Sequence, residues 1–206
     1  VGSLREEIRP RDIVFADQFI DKTNRKSTFF GEGLVAHIAF AEPVCGELSK
    51  HLHDTAISLG IPSRLGGTYV CMEGAAFSTK AESRMHRLWG GDVIGMTSAT
   101  EAKLFREAEI CYATMNLITD YDTWHAGEES VSVELVMENL RLNIRHAKSV
   151  IQAAVAGLPP HDPEACGCRT ALAGAIMTDP KLVPAARKRE LRLIIGKYLA
   201  GRRTVR

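Results

Sequence analysis

Apolar runs and amphipathic stretches alternate along this chain, and the alternation predicts strands and helices in turn. Short apolar runs bounded by polar or glycine-rich residues indicate buried strands, and they lie at residues 12–21, 35–40, 66–72, 92–96 and 110–118. Apolar residues that recur every three or four positions indicate helices, and they lie at residues 43–59, 79–88, after 97–100, 133–154 and 184–199. Strands followed by helices or loops are typical of a three-layer α/β domain.

Local signals predict where some helices begin and end. Thr79 and Glu82 form the pattern of a capping box, and Gly60 stands where a helix would end in a left-handed residue. The apolar spacing also predicts the buried face of each helix. The expected inward side chains are Ala81, Met85 and Leu88, then Leu104, Phe105 and Ala108, then Val133, Val136, Leu140, Ile144, Ala147, Ile151 and Ala154.

Length and composition favour one globular domain over residues 1–206. The chain is 45% hydrophobic and 25% charged, which is ordinary for a folded protein with a real core. The net charge of +1 gives no reason to expect nucleic acid or a membrane as a partner. Basic residues are frequent after residue 183, where a solvated helix face and a binding patch both remain open. Since no long apolar run and no signal peptide is visible, we expect a cytoplasmic protein.

The five cysteines divide into two groups. Cys45, Cys71 and Cys111 lie in apolar or helical settings and are expected to be buried thiols. Cys166 and Cys168 form a C-x-C pair, which is either a strained, redox-active disulfide or a reduced loop. The pair alone is too short for a four-ligand zinc site without partners elsewhere, and we expect no metal. The chain also lacks Walker, GxGxxG, GxSxG and HExxH motifs, so we expect no cofactor.

The stretch over residues 118–125 holds the densest candidate chemistry. It reads Ile-Thr-Asp-Tyr-Asp-Thr-Trp-His, and the apolar run 110–118 leads into it. Ligands of α/β sheets bind beyond the carboxyl ends of strands, and a desolvated carboxyl group there can hold or donate a proton. The alternative is that Asp120 and Asp122 only cap the next segment.

Two further positions allow a functional and a purely structural interpretation. The hydroxyl residues at 97–100 precede a helix, where they could bind phosphate or serve only as an N-cap. His37 could contact a ligand or be a satisfied core histidine. The residues alone leave both questions open.

Six dispersed motifs resemble one family. They are GSLREEI at 2–8, DQFID at 17–21, AHIAFAEP at 36–43, EGAAFSTKAES at 73–83, GDVIGMT at 91–97, and AEICYA with TDYD between 108 and 122. In this order they resemble the methylthioadenosine phosphorylases of the trimeric purine nucleoside phosphorylase family. The likeness is strong through about residue 137 and thinner after it. It implies a three-layer α/β/α phosphorylase/hydrolase-like fold with a mixed central sheet.

The resemblance implies that orthophosphate attacks C1′ of 5′-methylthioadenosine and releases adenine and 5-methylthioribose 1-phosphate, a step of purine and methionine salvage. Asp120 matches the residue that acts at purine N7, where a proton makes adenine a better leaving group. Asp122 matches the residue that faces the 6-amino group. Ser78 and Asp120 are both of the adenine type, because the 6-oxopurine branch has Glu and Asn in their places.

The resemblance also implies the rest of the site. By this likeness Phe77 packs on the base, Met96 contacts the ribose, Thr97 binds phosphate, and His37 reaches the sugar across a subunit interface. Val133, Val136 and Met137 match the apolar wall around the methylthio group, together with Val131. The implied partners are 5′-methylthioadenosine or adenine and orthophosphate as co-substrate, and the implied assembly is a homotrimer or hexamer.

One departure from the family concerns its phosphate loop. The family's glycine-rich loop precedes the equivalent of Val1, so we expect this sequence to be the later part of a longer chain. Two alternatives therefore stand beside the methylthioadenosine enzyme. One is a 6-oxopurine nucleoside or methylthioinosine phosphorylase, and the other is a non-catalytic fragment that binds adenine or forms oligomers.

Overall fold

The computed structural model describes residues 1–125, 133–160 and 166–199, with residues 133–136 described by their backbone alone. The strands are β1 Gly2–Ser3, β2 Ile13–Phe15, β3 Gln18–Asp21, β4 Ser63–Leu65, β5 Thr68–Cys71, β6 Val93–Gly95, β7 Asn116–Leu117 and β8 Asp120–Tyr121. The helices are α1 Gly46–Ser58, α2 Lys80–Leu88, α3 Ser98–Glu107, α4 Val133–Ala156, the short 3₁₀ helix Gly167–Thr170, α5 Ala185–Glu190 and α6 Arg192–Leu199.

A mixed five-stranded sheet forms the centre of the fold, in the order β3-β5-β6-β1-β8. Strands β3, β5 and β6 are parallel, whereas β1 is antiparallel to β6 and parallel to β8. The carboxyl ends of β3, β5 and β6 therefore meet the amino ends of β1 and β8 at one edge. This arrangement confirms the α/β class and the mixed central sheet.

A second sheet, in the order β4-β2-β7, lies beside the first. The prediction of one strand over residues 12–21 is wrong, because β2 belongs to this second sheet and β3 to the first. Every residue of β2 is buried, so the apolar pattern runs on through Ala16 and does not show where the chain changes sheets. The break is held by Asp17, whose Oδ1 accepts the N–H of Gly67 at 3.1 Å.

Two other strand predictions are wrong in extent. Residues 35–40 contain only an isolated bridge between Ala36 and Ile176. In residues 110–118 the regular part is β7, and Ile110 is 52% exposed. Both runs are apolar because they pack irregularly against other parts of the chain.

The helix boundaries agree better with the sequence than the helix faces do. The capping box of Thr79 and Glu82 is present, and Gly60 has the predicted positive φ, +68°. The predicted inward face of α2 is wrong, however, because Ser83 and His86 are the buried residues and Leu88 is 87% exposed. Small and polar side chains fit under this helix, where the strands approach closely.

The same correction applies to α3 and α4. Helix α3 buries Ala99 and Ala102 rather than Phe105, which is 38% exposed. The described inner positions of α4 are Asn139, Asn143, Val150 and Ala154, while Ile144 and Ile151 are 41% and 49% exposed. The buried amides of α4 make hydrogen bonds that an apolar pattern does not reveal.

The C-terminal lobe, defined here as residues 166–199, has its own small core. Its buried side chains pack with those of the long loop after β3 in one cluster: Phe30, Leu34, Leu172, Ala175, Val183, Leu191 and Ile195. The predicted helix over 184–199 is two helices, α5 and α6, with Pro184 as the N-cap of α5. Among the described residues, no helix has the length and apolar character needed to cross a membrane.

Candidate active site

Asp120 and Asp122 lie on one face of the central sheet, at the edge where the carboxyl ends of β5 and β6 meet β8. Asp120 follows the end of strand β7 by three residues, as predicted, but it also begins β8, which runs opposite to β5 and β6. The register pairs Gly2 with both Ile94 and Asp120, so Asp120 still reaches the expected edge.

Gly2 makes room for both carboxyl groups. A Cβ atom at Gly2 would lie 3.2 Å from Oδ1 of Asp120 and 3.4 Å from Cβ of Asp122. Residues two apart on a strand point to the same face, and here the glycine between the strands lets both approach β1. Asp120 is half-buried, and its Oδ2 accepts a hydrogen bond from Oγ1 of Thr119 at 2.6 Å.

Asp122 is 9% exposed, and its Oδ2 is buried without a hydrogen-bond partner among the described residues. Its backbone N–H donates to the Ser3 carbonyl at 3.0 Å and its carbonyl accepts from His125 at 3.3 Å, so the residue does not simply cap a loop. A buried carboxylate oxygen without a donor is costly unless a ligand supplies one. The geometry thus leaves a buried acceptor atom on the residue that lies beside Gly2 and Asp120.

The charge of Asp122 also acts on His86 of α2. Burial and the charge of Lys22 lower the pKa of His86, while Asp122 and Glu82 oppose that shift. The imidazole of His86 is therefore kept neutral at its position near Asp122. Its ring packs edge-on against Trp89 at 5.6 Å between centroids.

Two buried asparagines of α4 hold the segment that leads into Asp120. Asn139 Nδ2 donates to the Thr119 carbonyl at 2.8 Å, and Asn143 Nδ2 donates to the Ile118 carbonyl at 2.7 Å. The Oδ1 atom of Asn139 accepts from Arg11 Nε at 2.7 Å. Helix α4 therefore fixes the position of the backbone segment that carries the Asp120 carboxyl group.

The loop after β5 brings Ser78 and Phe77 to the same region. Ser78 is buried, its hydroxyl lies 3.9 Å from the sulfur of Met72, and its carbonyl accepts from Thr123 Oγ1 at 3.4 Å. The bond from Thr123 joins this loop to the segment after Asp122. Phe77, in contrast, is 81% exposed, so a large flat apolar surface is available there.

Arg25 holds the loop after β5 against the loop after β6. Its guanidinium donates to the carbonyls of Met96 and Glu73, both at 2.5 Å, and pairs with the Glu73 carboxylate at 3.1 Å. The thioether of Met96 lies against Gly74, where a Cβ atom would be 2.7 Å from the sulfur. Met96 is thus fixed through its backbone and packed through its side chain.

Thr97 stands at the N-cap of α3 but does not cap it. It is exposed and makes no side-chain capping bond within the described part of the chain, so the interpretation as an N-cap alone is not supported. Thr97 opens onto a cavity of about 400 Å³. The polar side chains around the cavity belong to Thr97, Ser98, Glu101, Tyr112, Thr114, Asn116 and Thr119.

The cavity extends from the N-terminus of α3 to Thr119, whose hydroxyl donates to Asp120, although neither Asp120 nor Asp122 lines it. The Tyr112 hydroxyl donates to Glu101 at 2.8 Å, and burial together with that carboxylate raises the pKa of Tyr112. Hydroxyl groups and the free N–H groups of a helix N-terminus are suitable partners for an oxyanion.

Two of the remaining predicted residues, His37 and Met137, are exposed to solvent in the single chain. His37 is exposed, and its backbone N–H donates to the Ala175 carbonyl of the C-terminal lobe at 2.9 Å. Met137 is 42% exposed on the first turns of α4. The side chains of Val133 and Val136, and all of Val131, lie outside the described residues.

Sequence reasoning missed several residues that build the site, among them Gly2, Arg25, Asn139 and Asn143. Arg25 lies in a polar loop without periodicity, and the asparagines interrupt an apolar stripe. An amide at an inward helical position is the one signal that could have indicated a buried hydrogen-bonding role. Among described residues, the side chains that could hold a metal are four cysteines, none of which lines the cavity.

Known proteins resemble this chain in sequence. A family model described as "Phosphorylase superfamily" matches residues 1–156. The S-methyl-5'-thioadenosine phosphorylase of Koribacter versatilis is 53% identical over 199 residues, which are 96% of this chain and 68% of that protein. The enzyme of the same name from Gloeobacter violaceus is 55% identical over 207 residues, 98% of this chain and 69% of its own length.

Solved structures resemble it as well. A methylthioadenosine phosphorylase from an antarctic soil metagenomic library has a TM-score of 0.86 at 42% identity, covering 94% of this chain and 68% of its own. The methylthioadenosine phosphorylase of Schistosoma mansoni in complex with adenine has a TM-score of 0.79 at 31% identity, covering 85% of this chain and 70% of its own.

Proposed function

The chain belongs to the phosphorylase superfamily and, within it, to the S-methyl-5'-thioadenosine phosphorylases, and from this premise we propose that it cleaves 5′-methylthioadenosine with orthophosphate. In this reaction a phosphate oxygen forms a bond to C1′ while the bond from C1′ to N9 of adenine breaks. The purine takes the bonding electron pair, and a proton at N7 neutralises it. The products are adenine and 5-methylthioribose 1-phosphate.

The observation that carries the proposal is the buried Oδ2 of Asp122, which has no hydrogen-bond partner among the described residues and lies on the same face as Asp120. An oxygen that needs a donor matches the 6-amino group of adenine. With the amino group there, the N7 side of the ring faces the neighbouring carboxyl group. Asp120 then donates its proton to N7 as the bond to the sugar breaks.

The same oxygen explains the choice of base. The 6-oxo group of hypoxanthine is an acceptor, and an acceptor opposite a buried carboxylate costs about 1–3 kcal/mol or more. Ser78, which is short and buried, leaves space beside the base where a longer acidic side chain would face Asp122. These features favour adenine nucleosides over 6-oxopurine nucleosides.

Orthophosphate is the co-substrate, and no cofactor takes part in the proposal. Thr97 and the N-terminus of α3 bind the anion at the end of the cavity near Thr119. Phe77 covers the base, Met96 contacts the ribose, and Val133, Val136 and Met137 surround the methylthio group. Such a wall suits a CH₃S group, which gains free energy only by burial.

The assembly is a homotrimer or a hexamer, in which His37 serves a neighbouring subunit's site. Its exposure and its attachment to the C-terminal lobe support this, because it is turned to solvent in the single chain. A cytoplasmic location and a role in purine and methionine salvage remain predictions.

Phosphate-dependent release of adenine tests the function. The purified protein is given 5′-methylthioadenosine with and without orthophosphate, and adenine and the sugar phosphate are measured by chromatography. Inosine and methylthioinosine serve as matched substrates that differ at the 6 position. We expect adenine release only with phosphate, and much slower release of hypoxanthine.

Two results would contradict the proposal in different ways. Faster cleavage of methylthioinosine than of methylthioadenosine would assign the site to 6-oxopurines. A folded protein that binds adenine but releases none from the nucleoside would be a binding protein, not an enzyme.

A further inference from the structure

Four of the five cysteines converge at one point of the fold. The Sγ atoms of Cys45, Cys111, Cys166 and Cys168 all lie within 4.8 Å of one another. All five cysteines are free thiols, and the fifth, Cys71, lies in β5 outside this group. The expectation of buried thiols is confirmed for Cys45 and Cys71, whereas Cys111 is partly exposed. The sequence did not indicate that Cys45 and Cys111 each have the other three cysteines as neighbours.

Three separate segments bring the four thiols together. Cys45 is the N-cap of α1, and its backbone N–H donates to the Tyr112 carbonyl at 2.7 Å, which places it beside Cys111. Cys166 and Cys168 stand on either side of the first residue of the 3₁₀ helix, Gly167. The C-x-C pair thus finds in the tertiary structure the two partners that its own spacing lacks.

The spacing of the sulfur atoms suits a shared metal ion better than a disulfide. The Sγ atoms of Cys111 and Cys166 are 3.5 Å apart. Sulfurs bound to a tetrahedral zinc ion at about 2.3 Å lie about 3.8 Å from one another, whereas a disulfide needs about 2.05 Å. The four thiols come from three segments that are distant in sequence, so the cluster does not arise from the conformation of one loop.

From this geometry we propose that Cys45, Cys111, Cys166 and Cys168 bind one zinc ion as four thiolates. Binding displaces four protons and gives a tetrahedral centre of four sulfur ligands, the arrangement that zinc prefers with cysteine. All coordination positions are filled by the protein, so the centre is structural and holds no open position for a substrate.

One of the four thiols stands where negative charge is favoured. Cys45 lies at the N-terminus of the 13-residue helix α1, where the helix dipole stabilises a thiolate.

The zinc ion fastens the C-terminal lobe to the core. Cys166 and Cys168 begin that lobe, while Cys45 and Cys111 belong to segments next to α1 and α3. Besides its apolar cluster with the loop after β3, the lobe makes polar contacts with Glu109, which accepts from Leu172 N–H at 3.0 Å and pairs with Lys197 at 2.6 Å. A four-ligand metal bond adds a covalent-like link between these parts.

Elemental analysis of the purified chain tests the proposal. The protein is prepared under reducing conditions without chelator, freed of loose metal by gel filtration, and measured by mass spectrometry for zinc. We expect about one zinc ion per chain in the wild type and at least about tenfold less in Cys166→Ser. The matched control is Cys71→Ala, which also keeps four cysteines and should retain the full zinc content.

Cobalt substitution of the wild type keeps the test independent of how the variant folds. Cobalt exchanged into the protein should give the intense visible absorption of a tetrahedral centre with four sulfur ligands. A chelator should lower the thermal unfolding midpoint of the wild type and leave that of Cys166→Ser unchanged.

Three results would overturn the proposal. One is wild-type protein that is reduced, folded and free of zinc. Another is an intact mass, measured under non-reducing conditions, that is lower than the mass of the reduced chain by two hydrogen atoms for each disulfide. Such a mass would show that the cysteines form disulfides. The third is equal zinc content in Cys166→Ser and Cys71→Ala, which would show that zinc binds elsewhere.

Discussion

At the scale of single residues, the candidate chemistry depends on the two carboxyl groups and equally on Gly2, which has no side chain. Asp120 and Asp122 share a face because they are two positions apart, and Gly2 on the neighbouring strand gives them room. Conservative changes at the two carboxyl groups leave the hydrophobic side chains in place, whereas a Cβ atom at Gly2 would also lie 3.2 Å from Cγ2 of Ile94 in the core. The roles of the two carboxyl groups can therefore be separated from stability.

Replacing Asp120 by Asn should lower kcat/KM for methylthioadenosine by about 10²–10⁴-fold, because the amide has the same shape but cannot transfer a proton to N7. The free energy of unfolding should change by less than about 0.5 kcal/mol. Steady-state kinetics and urea unfolding measure the two effects. Asp54→Asn, the same change at an exposed carboxylate on α1, is the control, and equal activity in both variants would remove Asp120 from the mechanism.

Replacing Gly2 by Ala should reduce kcat/KM by about tenfold, because the new Cβ would lie 3.2 Å from Oδ1 of Asp120 and the carboxyl group must shift by a few tenths of an ångström. Stability should change by less than about 1 kcal/mol. Gly196→Ala in α6 is the matched control, since a Cβ there meets none of the described atoms within 4 Å. Wild-type kinetics for Gly2→Ala would mean that the carboxyl group tolerates displacement.

At the scale of secondary structure elements, α4 and α2 support the site from below. Helix α4 uses two buried amides to hold the carbonyls of Ile118 and Thr119, and α2 places neutral His86 near Asp122. These contacts are buried and polar, so each depends on a specific partner. Removing one partner leaves the other unsatisfied.

Replacing Asn139 by Leu should lower the free energy of unfolding by about 1–3 kcal/mol, because the Thr119 carbonyl and Arg11 Nε lose their buried partner. As a positioning residue, Asn139 should affect kcat more than KM. Glu138→Gln, an exposed neighbour on the same helix, should change stability by less than about 1 kcal/mol. A variant at 139 that is destabilised but has normal kcat would limit the residue to a structural role.

The stability of the protein should fall as the pH decreases below 6.5, in part because of His86. Burial and Lys22 hold the pKa of the folded His86 below its ordinary value of 6.5. Below that value the unfolded state binds the proton first, so protonation favours unfolding. Urea midpoints at several pH values should show a smaller decline for His86→Gln than for the wild type, and parallel curves would exclude His86 as a source.

At the scale of the whole molecule, the single chain presents parts of its site to solvent. Phe77 is 81% exposed, His37 is exposed, and the apolar side chains of Leu88 and Leu193 are 87% and 91% exposed. Large exposed apolar groups are typical of surfaces that pack against another protein. The trimer proposed above, in which a neighbour completes each site, would account for this exposure.

Sedimentation should give a particle about three or six times the chain mass of 22.6 kDa. Co-expression of Asp120→Asn with His37→Ala should then give more activity than either variant alone. In a mixed trimer, some sites combine the intact Asp120 of one chain with the intact His37 of its neighbour. Co-expression of two differently tagged Asp120→Asn chains is the control, and activity equal to the average of the two variants would place both residues in one subunit.

The sequence by itself determined the features that depend on neighbours within a few residues. The capping box at Thr79, the turn at Gly60 and the apolar strands at 68–71 and 93–95 were all predicted, because a helical turn or a strand is specified locally. The family was recognised from short motifs, each of which is an uninterrupted stretch of the sequence. The α/β class followed from the order of these elements.

The tertiary structure alone decided what lies next to what. The direction of β8, the room at Gly2, the inward amides of α4 and the meeting of four cysteines all join residues that are dozens of positions apart. A hydrophobic pattern records that a position is buried but not which partner buries it. The partners become known only when the chain has folded, because hydrogen bonds and sulfur clusters need specific atoms at specific distances.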